Sequence, residues 1–165
     1  MLLQRPPAAY AHCSLQAIHI SHTNITHVGL GTLLVALLQS DAPLHTLGAA
    51  HCRIGDDAAF AATLGTFVAT TKSLQHLDVS YNRLGPMCGV AVSAALPRSG
   101  SLKRLHLGFN PLGHAATMEV LLGALHCTSL GELLIENTVS SGNVTGLVGG
   151  EAAIRSAWVR AASVD

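Results

Sequence analysis

The sequence predicts an α/β solenoid, a stack of strand-and-helix units with parallel strands on the concave face and helices on the convex one. Three observations carry that prediction. A pattern of apolar residues restarts at Leu15, Leu44, Leu74, Leu102 and Leu130, at spacings of 29, 30, 28 and 28 residues. Within each copy, a short alternation of apolar and polar residues, the period of a half-buried strand, gives way to a spacing near 3.6, the period of a helix. A unit of only about 28 residues cannot bury its own apolar face, so the copies must stack on one another.

Apolar residues fall at positions 1, 4, 6 and 11 of each copy. The first copy supplies Leu15, Ile18, Ile20 and Ile25, followed by a helix with Leu30, Leu33, Leu34, Leu37 and Leu38 on its inner face. The second supplies Leu44, Leu47, Ala49 and Ile54, then Phe60, Leu64, Phe67 and Val68. The third reads Leu74-Gln75-His76-Leu77-Asp78-Val79-Ser80-Tyr81-Asn82-Arg83-Leu84-Gly85, with Cys88, Val92, Ala95 and Leu96 as its helix face. The fourth reads Leu102-Lys103-Arg104-Leu105-His106-Leu107-Gly108-Phe109-Asn110-Pro111-Leu112-Gly113, and its helix face is expected at Met118, Leu121, Leu122 and Leu125. The fifth keeps Leu130, Leu133 and Ile135 and then decays, with Ser140 where an apolar residue belongs. Beyond it, residues 141–165 are expected to form a helical cover, with Ile154, Ala157, Trp158 and Ala161 on one side of a helix from Glu151 to Ala162. Ala11 to Leu15 resembles Leu125 to Ser129, so the chain is expected to open on the last turn of an earlier helix. The expectation is a single domain over 1–165 with a bare N-terminal end. Such an end suits a fragment of a longer array, or contact with a second copy.

Position 9 carries Thr23, Cys52, Asn82, Asn110 and Thr138. A small polar side chain is needed there, because the turn from strand to helix is buried between copies and its backbone groups require partners. The motif Leu-x-x-Leu-x-Leu-x-x-Asn-x-Leu-Gly resembles leucine-rich repeats, and the 28-residue period with full helices is similar to the ribonuclease-inhibitor-like type. The resemblance covers roughly residues 12 to 140. It implies a cytosolic protein-binding scaffold of the sort found in receptors, ligase adaptors, cytoskeletal assemblies and nucleotide-switch regulators.

Composition narrows the function classes. The chain has 165 residues, 49% of them hydrophobic and only 11% charged, which excludes a disordered chain. Nine basic residues balance nine acidic ones, so no net field favours nucleic acid or an anionic membrane. The longest apolar run, Val28 to Leu38, is too short to span a bilayer. Met1 to Pro7 lacks the apolar stretch of a secretory signal, so the protein is expected in the cytoplasm with the sequons at Asn24 and Asn143 unmodified. Cys13, Cys52, Cys88 and Cys127 lie 39, 36 and 39 residues apart, a spacing that suits reduced thiols rather than zinc or a disulfide framework. No phosphate-binding loop, zinc-protease or nucleophile-elbow motif occurs, and Gly29-Leu30-Gly31 fails the dinucleotide fingerprint. Neither catalysis nor a cofactor or metal is expected.

Function therefore falls on the strand face, where outward positions line up in columns from copy to copy. Position 5 gives His19, Gly48, Asp78, His106 and Leu134; position 8 gives His22, His51, Tyr81, Phe109 and Asn137; position 3 gives Ala17, Thr46, His76, Arg104 and Glu132. Tyr81 and Phe109 form a central aromatic pair beside Asp78, His106, Arg104, His76 and Lys103, residue types enriched in protein-binding hot spots. These seven are the expected contact centre for a protein partner. His19, His22, His45, His51, His76 and His106 make the same face rich in imidazole, and so sensitive to pH between 7 and about 5.5. Arg53 and Arg83, at position 10 of adjacent copies, mark an alternative site on the rim. Resemblance in repeat type to the Ran GTPase-activating protein implies a GTPase-regulating alternative, since an arginine offered in trans stabilises phosphoryl transfer.

Overall fold

The computed structural model describes residues 14–40 and 42–139. Five short strands alternate with four helices: β1 Ala17–His19, α1 Thr26–Gln39, β2 Thr46–Gly48, α2 Ala58–Thr70, β3 His76–Asp78, α3 Pro86–Ala95, β4 Arg104–His106, α4 His114–Leu125 and β5 Glu132–Leu134. A single 3-10 turn, Leu96–Arg98, follows α3. Ser140, the helical cover at 141–165 and the helix end at Ala11 to Cys13 lie outside the described residues. All strands are parallel and pair in chain order, giving one open sheet β1-β2-β3-β4-β5. Among the described residues no helix is long and apolar enough to cross a membrane.

The register follows the repeat. Ile18, Leu47, Leu77, Leu105 and Leu133 are direct partners across the sheet, and the residues on either side of each point to the opposite face. The inward leucines meet Leu64, Val92 and Val120 from the helices in one core that also holds Phe60, Phe67, Leu84 and Leu112. Small residues let the helices approach. A Cβ added at Gly65 would lie 2.9 Å from the Ala91 carbonyl oxygen, and one at Gly123 would meet the Ser93 carbonyl closer still.

Two helix faces differ from the expectation. In α4 the buried residues are Ala116, Thr117, Val120, Leu121, Gly123 and Ala124, while Met118, Leu122 and Leu125 are exposed. The face is rotated because close packing on α3 selects Ala116 and Gly123, and leaves the larger side chains outside. In α1 only Leu30 and Leu34 are fully buried, Leu33 and Leu37 are half-buried and Leu38 is exposed. Leu15 is likewise 45% exposed, because β1 and α1 are covered on one side only among the described residues.

Three side-chain devices join the copies. The first runs through position 9. The Asn82 side chain accepts hydrogen bonds from the backbone N–H groups of Cys52 (2.8 Å) and Ile54 (3.1 Å) in the preceding copy, and its amide donates to the carbonyls of Ala49, Val79 and Ser80. Asn110 repeats this one copy on, accepting from Asn82 and Leu84 N–H and donating to Val79, Leu107 and Gly108 carbonyls. Cys52 and Thr23 do the same work more weakly toward β1, with the Cys52 thiol donating to the Ile20 and Ala50 carbonyls and the Thr23 hydroxyl to Ile20. Thr138 donates to Ile135 and accepts from Thr117.

A second device lies on the opposite edge of the sheet. Ser73, Ser101 and Ser129, each just before position 1, donate to the carbonyls of Leu44, Thr71 and Ser99 in the copy before. The third is a helix cap supplied across copies. Gly85 at the start of α3 has no side chain to cap it, and the Asp56 carboxylate of the previous copy accepts from the Met87 and Cys88 N–H groups instead. A Cβ at position 85 would collide with that carboxylate. Burial on its own raises the Asp56 carboxyl, but the amide hydrogen bonds from Cys88 and Met87 outweigh it and hold the group below its ordinary 3.8. Burial also pushes the Cys88 thiol well up, with Asp56 adding to it, and Cys52, Cys88 and Cys127 are all buried free thiols.

Asn82→Ala leaves the Cys52 and Ile54 amides buried and unpaired, and should lower the unfolding free energy by about 2–4 kcal/mol, read from urea denaturation. Asp56 is linked to pH with a definite sign. Its carboxyl is depressed in the folded state, so its contribution is complete above 3.8 and is lost as pH falls through the lower, folded value. Urea titrations at stepped pH should show wild type more stable than Asp56→Ala at pH 7 and the gap closing in acid below that value; a gap that is constant with pH would show that the carboxylate charge is irrelevant to the cap.

Candidate protein-binding face

Register in the core places the outward columns in register too. Beyond each strand the chain must reverse away from the sheet, and at position 8 it does so with a left-handed backbone in every copy. His22, His51, Tyr81, Phe109 and Asn137 have φ of 61°, 55°, 53°, 57° and 52°. For residues other than glycine this costs on the order of 1 kcal/mol each. The geometry turns the position 8 side chains into one row, and the rings stack: His22 on His51 with centroids 4.5 Å apart, His51 on Tyr81 at 4.2 Å, and Tyr81 on Phe109 at 4.0 Å, all within 13° of parallel. Such pairs contribute about 0.5–1.5 kcal/mol each, which offsets the backbone cost. The aromatic pair Tyr81 and Phe109 is thus the end of a four-ring ladder. His22 and His51 meet face to face within it, and among the described residues no group of three or more His, Cys, Asp or Glu side chains is placed to hold a metal ion.

The charged cluster sits beside the ladder on the sheet. His106 faces a carboxylate with each ring nitrogen: Nδ1 lies 3.5 Å from Asp78 and Nε2 lies 3.1 Å from Glu136. Neutral imidazole has one N–H and imidazolium two, so only the charged ring can donate to both. Asp78 also accepts from the Ser80 hydroxyl and backbone N–H, which fixes its orientation. Arg104 and Glu132, partners across β4 and β5, form an ion pair at 2.8 Å. His76 is half-buried on β3, and Lys103 is exposed just before β4. Together with His19, Ser21, Thr46 and Gly48, the side chains of His76, Asp78, Arg104, His106 and Glu132 line a shallow hollow of about 320 Å³ over the middle of the sheet.

Arg53 and Arg83 lie on the rim where strands pass into helices, both exposed, with Arg53 itself in a left-handed conformation (φ 55°). They are separate from the hollow. The Ile54 carbonyl accepts the Arg83 backbone N–H, which ties the two copies together at this rim.

Glu136 on this face and Asp56 at the cap of α3 both escape a column-by-column reading of the sequence. Glu136, at position 7, reaches His106 across a copy boundary because Gly108 beside it has no side chain, and a Cβ there would lie 2.8 Å from the Glu136 carboxyl carbon. The glycine preceding it in the position 7 column was the available signal. Asp56 gave none, since its amide partners lie 31 and 32 residues away.

Comparison with known proteins agrees with this architecture. A family model described as a leucine rich repeat matches residues 72–86, the start of the third copy. Among curated protein sequences none matches. Solved structures that share the fold include the following two. One is the tropomodulin C-terminal domain of Caenorhabditis elegans, 19% identical with a TM-score of 0.66, covering 90% of this chain and 88% of that one. The other, titled Leiomodin-1 Actin-Binding Site 2, is 18% identical with a TM-score of 0.64, covering 90% and 89%.

Proposed function

We propose that the chain is a non-enzymatic protein-interaction module of the ribonuclease-inhibitor-like repeat type that holds a partner against its open strand face. The observation that carries this reading is the ring ladder. Tyr81 is 42% exposed although it sits in a packed stack, so its outer edge is rigid, amphipathic and free to be covered. Rigid aromatic groups bind at low cost in conformational entropy, and they lie here beside Asp78, His106, Arg104, His76 and Lys103, which offer directional polar contacts. Helices of 14, 13, 10 and 12 residues within repeats of 28 to 30 support the repeat type. One of the solved structures sharing the fold is titled as an actin-binding site. That likeness supports an interaction role and does not choose the partner.

Replacing Tyr81 and Phe109 by Ala together should weaken partner binding by about 2 kcal/mol or more while the far-UV spectrum stays that of wild type. Affinity capture with wild type and the double variant side by side checks it. Partners retained equally by both would move the interface off the strand face.

A further inference from the structure

We propose that the rim joining strands to helices binds a carboxylate-rich, extended segment of a protein partner, gripped by Arg53 and Arg83 and by the outer edges of the stacked rings. This extends the strand-face reading and gives the partner a chemistry.

Four observations lead there. Arg53 and Arg83 sit on consecutive copies, are exposed, and take part in none of the side-chain ion pairs or hydrogen bonds among the described residues, which involve Arg104 and His106 instead. The carboxylates nearest to them in sequence are engaged elsewhere: near Arg53, Asp56 with the Met87 and Cys88 amides and Asp57 with the Phe60 amide at the start of α2, and near Arg83, Asp78 with Ser80 and His106. The ladder contributes more donors. Its rings spend their faces on one another, so what they present outward is their edges, the positive part of an aromatic quadrupole. The imidazole nitrogens of His22 and His51 and the hydroxyl of Tyr81 have no hydrogen-bond partner among the described residues. A row of guanidinium, imidazole and phenol donors without facing acceptors is complementary to a row of anionic acceptors, and Arg forks suit carboxylates in particular.

Spacing selects an extended peptide. Adjacent copies lie about 5 Å apart, while alternate side chains of an extended segment lie roughly 7 Å apart, a difference that arginine side chains absorb. Nucleic acid is the other anionic polymer, but its affinity depends on many phosphate contacts, and this chain offers two rim arginines and a net charge of zero.

The test is a fluorescence anisotropy titration of the full chain against a labelled peptide alternating glutamate and serine, the same peptide with glutamine in place of glutamate, and labelled oligothymidylate. Arg53→Gln with Arg83→Gln is compared with Lys72→Gln with Arg98→Gln, a pair of exposed cations at the opposite edge that changes net charge equally. The expected result is saturable binding of the glutamate peptide that weakens with salt and drops about tenfold or more in the Arg53/Arg83 variant, against about twofold or less in the control pair. Equal losses in both pairs, equal binding of the glutamine peptide, or a preference for oligothymidylate would overturn the proposal. Should wild type ignore the glutamate peptide while the Tyr81/Phe109 variant still loses its captured partner, the acidic-segment proposal falls and the strand-face reading stands. Should peptide binding follow the arginines while captured partners survive the Tyr81/Phe109 change, the proposal stands and the strand-face reading falls.

Discussion

A turn that cannot satisfy its own backbone governs this protein. Where each strand passes into its helix, amides such as those of Cys52 and Ile54 are enclosed between copies, out of reach of water, and the acceptor they use is a side chain of the next copy. Unpaired amides in such a place cost more than an ordinary hydrogen bond returns, so no copy is complete without its successor. Asn82 itself needs Asn110 to accept its backbone N–H. The dependence therefore runs as a chain through the interior, and the Asp56 cap on α3 and the serine clasps of Ser73, Ser101 and Ser129 run alongside it in the same nearest-neighbour fashion. Stability of this kind is a sum over interfaces rather than over units. It is strongest between the second and fourth copies, where asparagine fills position 9, and weaker toward β1, where thiol and hydroxyl replace the amide.

The same constraint builds the outer face. Because the turn is pinned in each copy to the same depth, position 8 arrives at the same place each time, and a left-handed residue there delivers its side chain to the neighbour's. Four consecutive rings then stack at 4.0 to 4.5 Å, close to the spacing of parallel strands. A misregistered copy would break both the asparagine row and the ring row. Core register and surface ladder are thus two readings of one geometry.

Much of this geometry is legible in the sequence, because a solenoid turns a linear period into spatial adjacency. The five strands, the partners Asp78 with His106 and Arg104 with Glu132, and the row containing Tyr81 and Phe109 all follow from counting positions. What escapes counting is what depends on small residues. The helical period puts Met118, Leu122 and Leu125 on the inner face of α4 because hydrophobicity favours large side chains, whereas close helix contact favours Ala116 and Gly123. Glu136 reaches His106 only through the space above Gly108, and Asp56 reaches α3 only because Gly85 leaves room. A serine precedes position 1 at 14, 73, 101 and 129, so the clasp was visible as a pattern, but its partner carbonyls were not.

The polar groups of the face divide by whether their bonding is already complete, and that division ranks them energetically. Arg104 is held by Glu132, and His106 lies between Asp78 and Glu136, so a partner covering them must strip water from pairs that gain little in return. Groups in that condition discriminate between partners, since a mismatched charge placed beside them is costly, and they add little to affinity. Tyr81, His22, His51, Arg53 and Arg83 are in the opposite condition: among the described residues their side-chain donors have no protein acceptors, and the stack or the pinned turn has already fixed the backbone that carries them. Covering such groups with acceptors gains bonds without breaking existing ones. In the proposed complex, affinity concentrates along the ladder and its rim, and selectivity in the hollow beside it, which is an arrangement the repeat produces by setting adjacent columns to different chemistry.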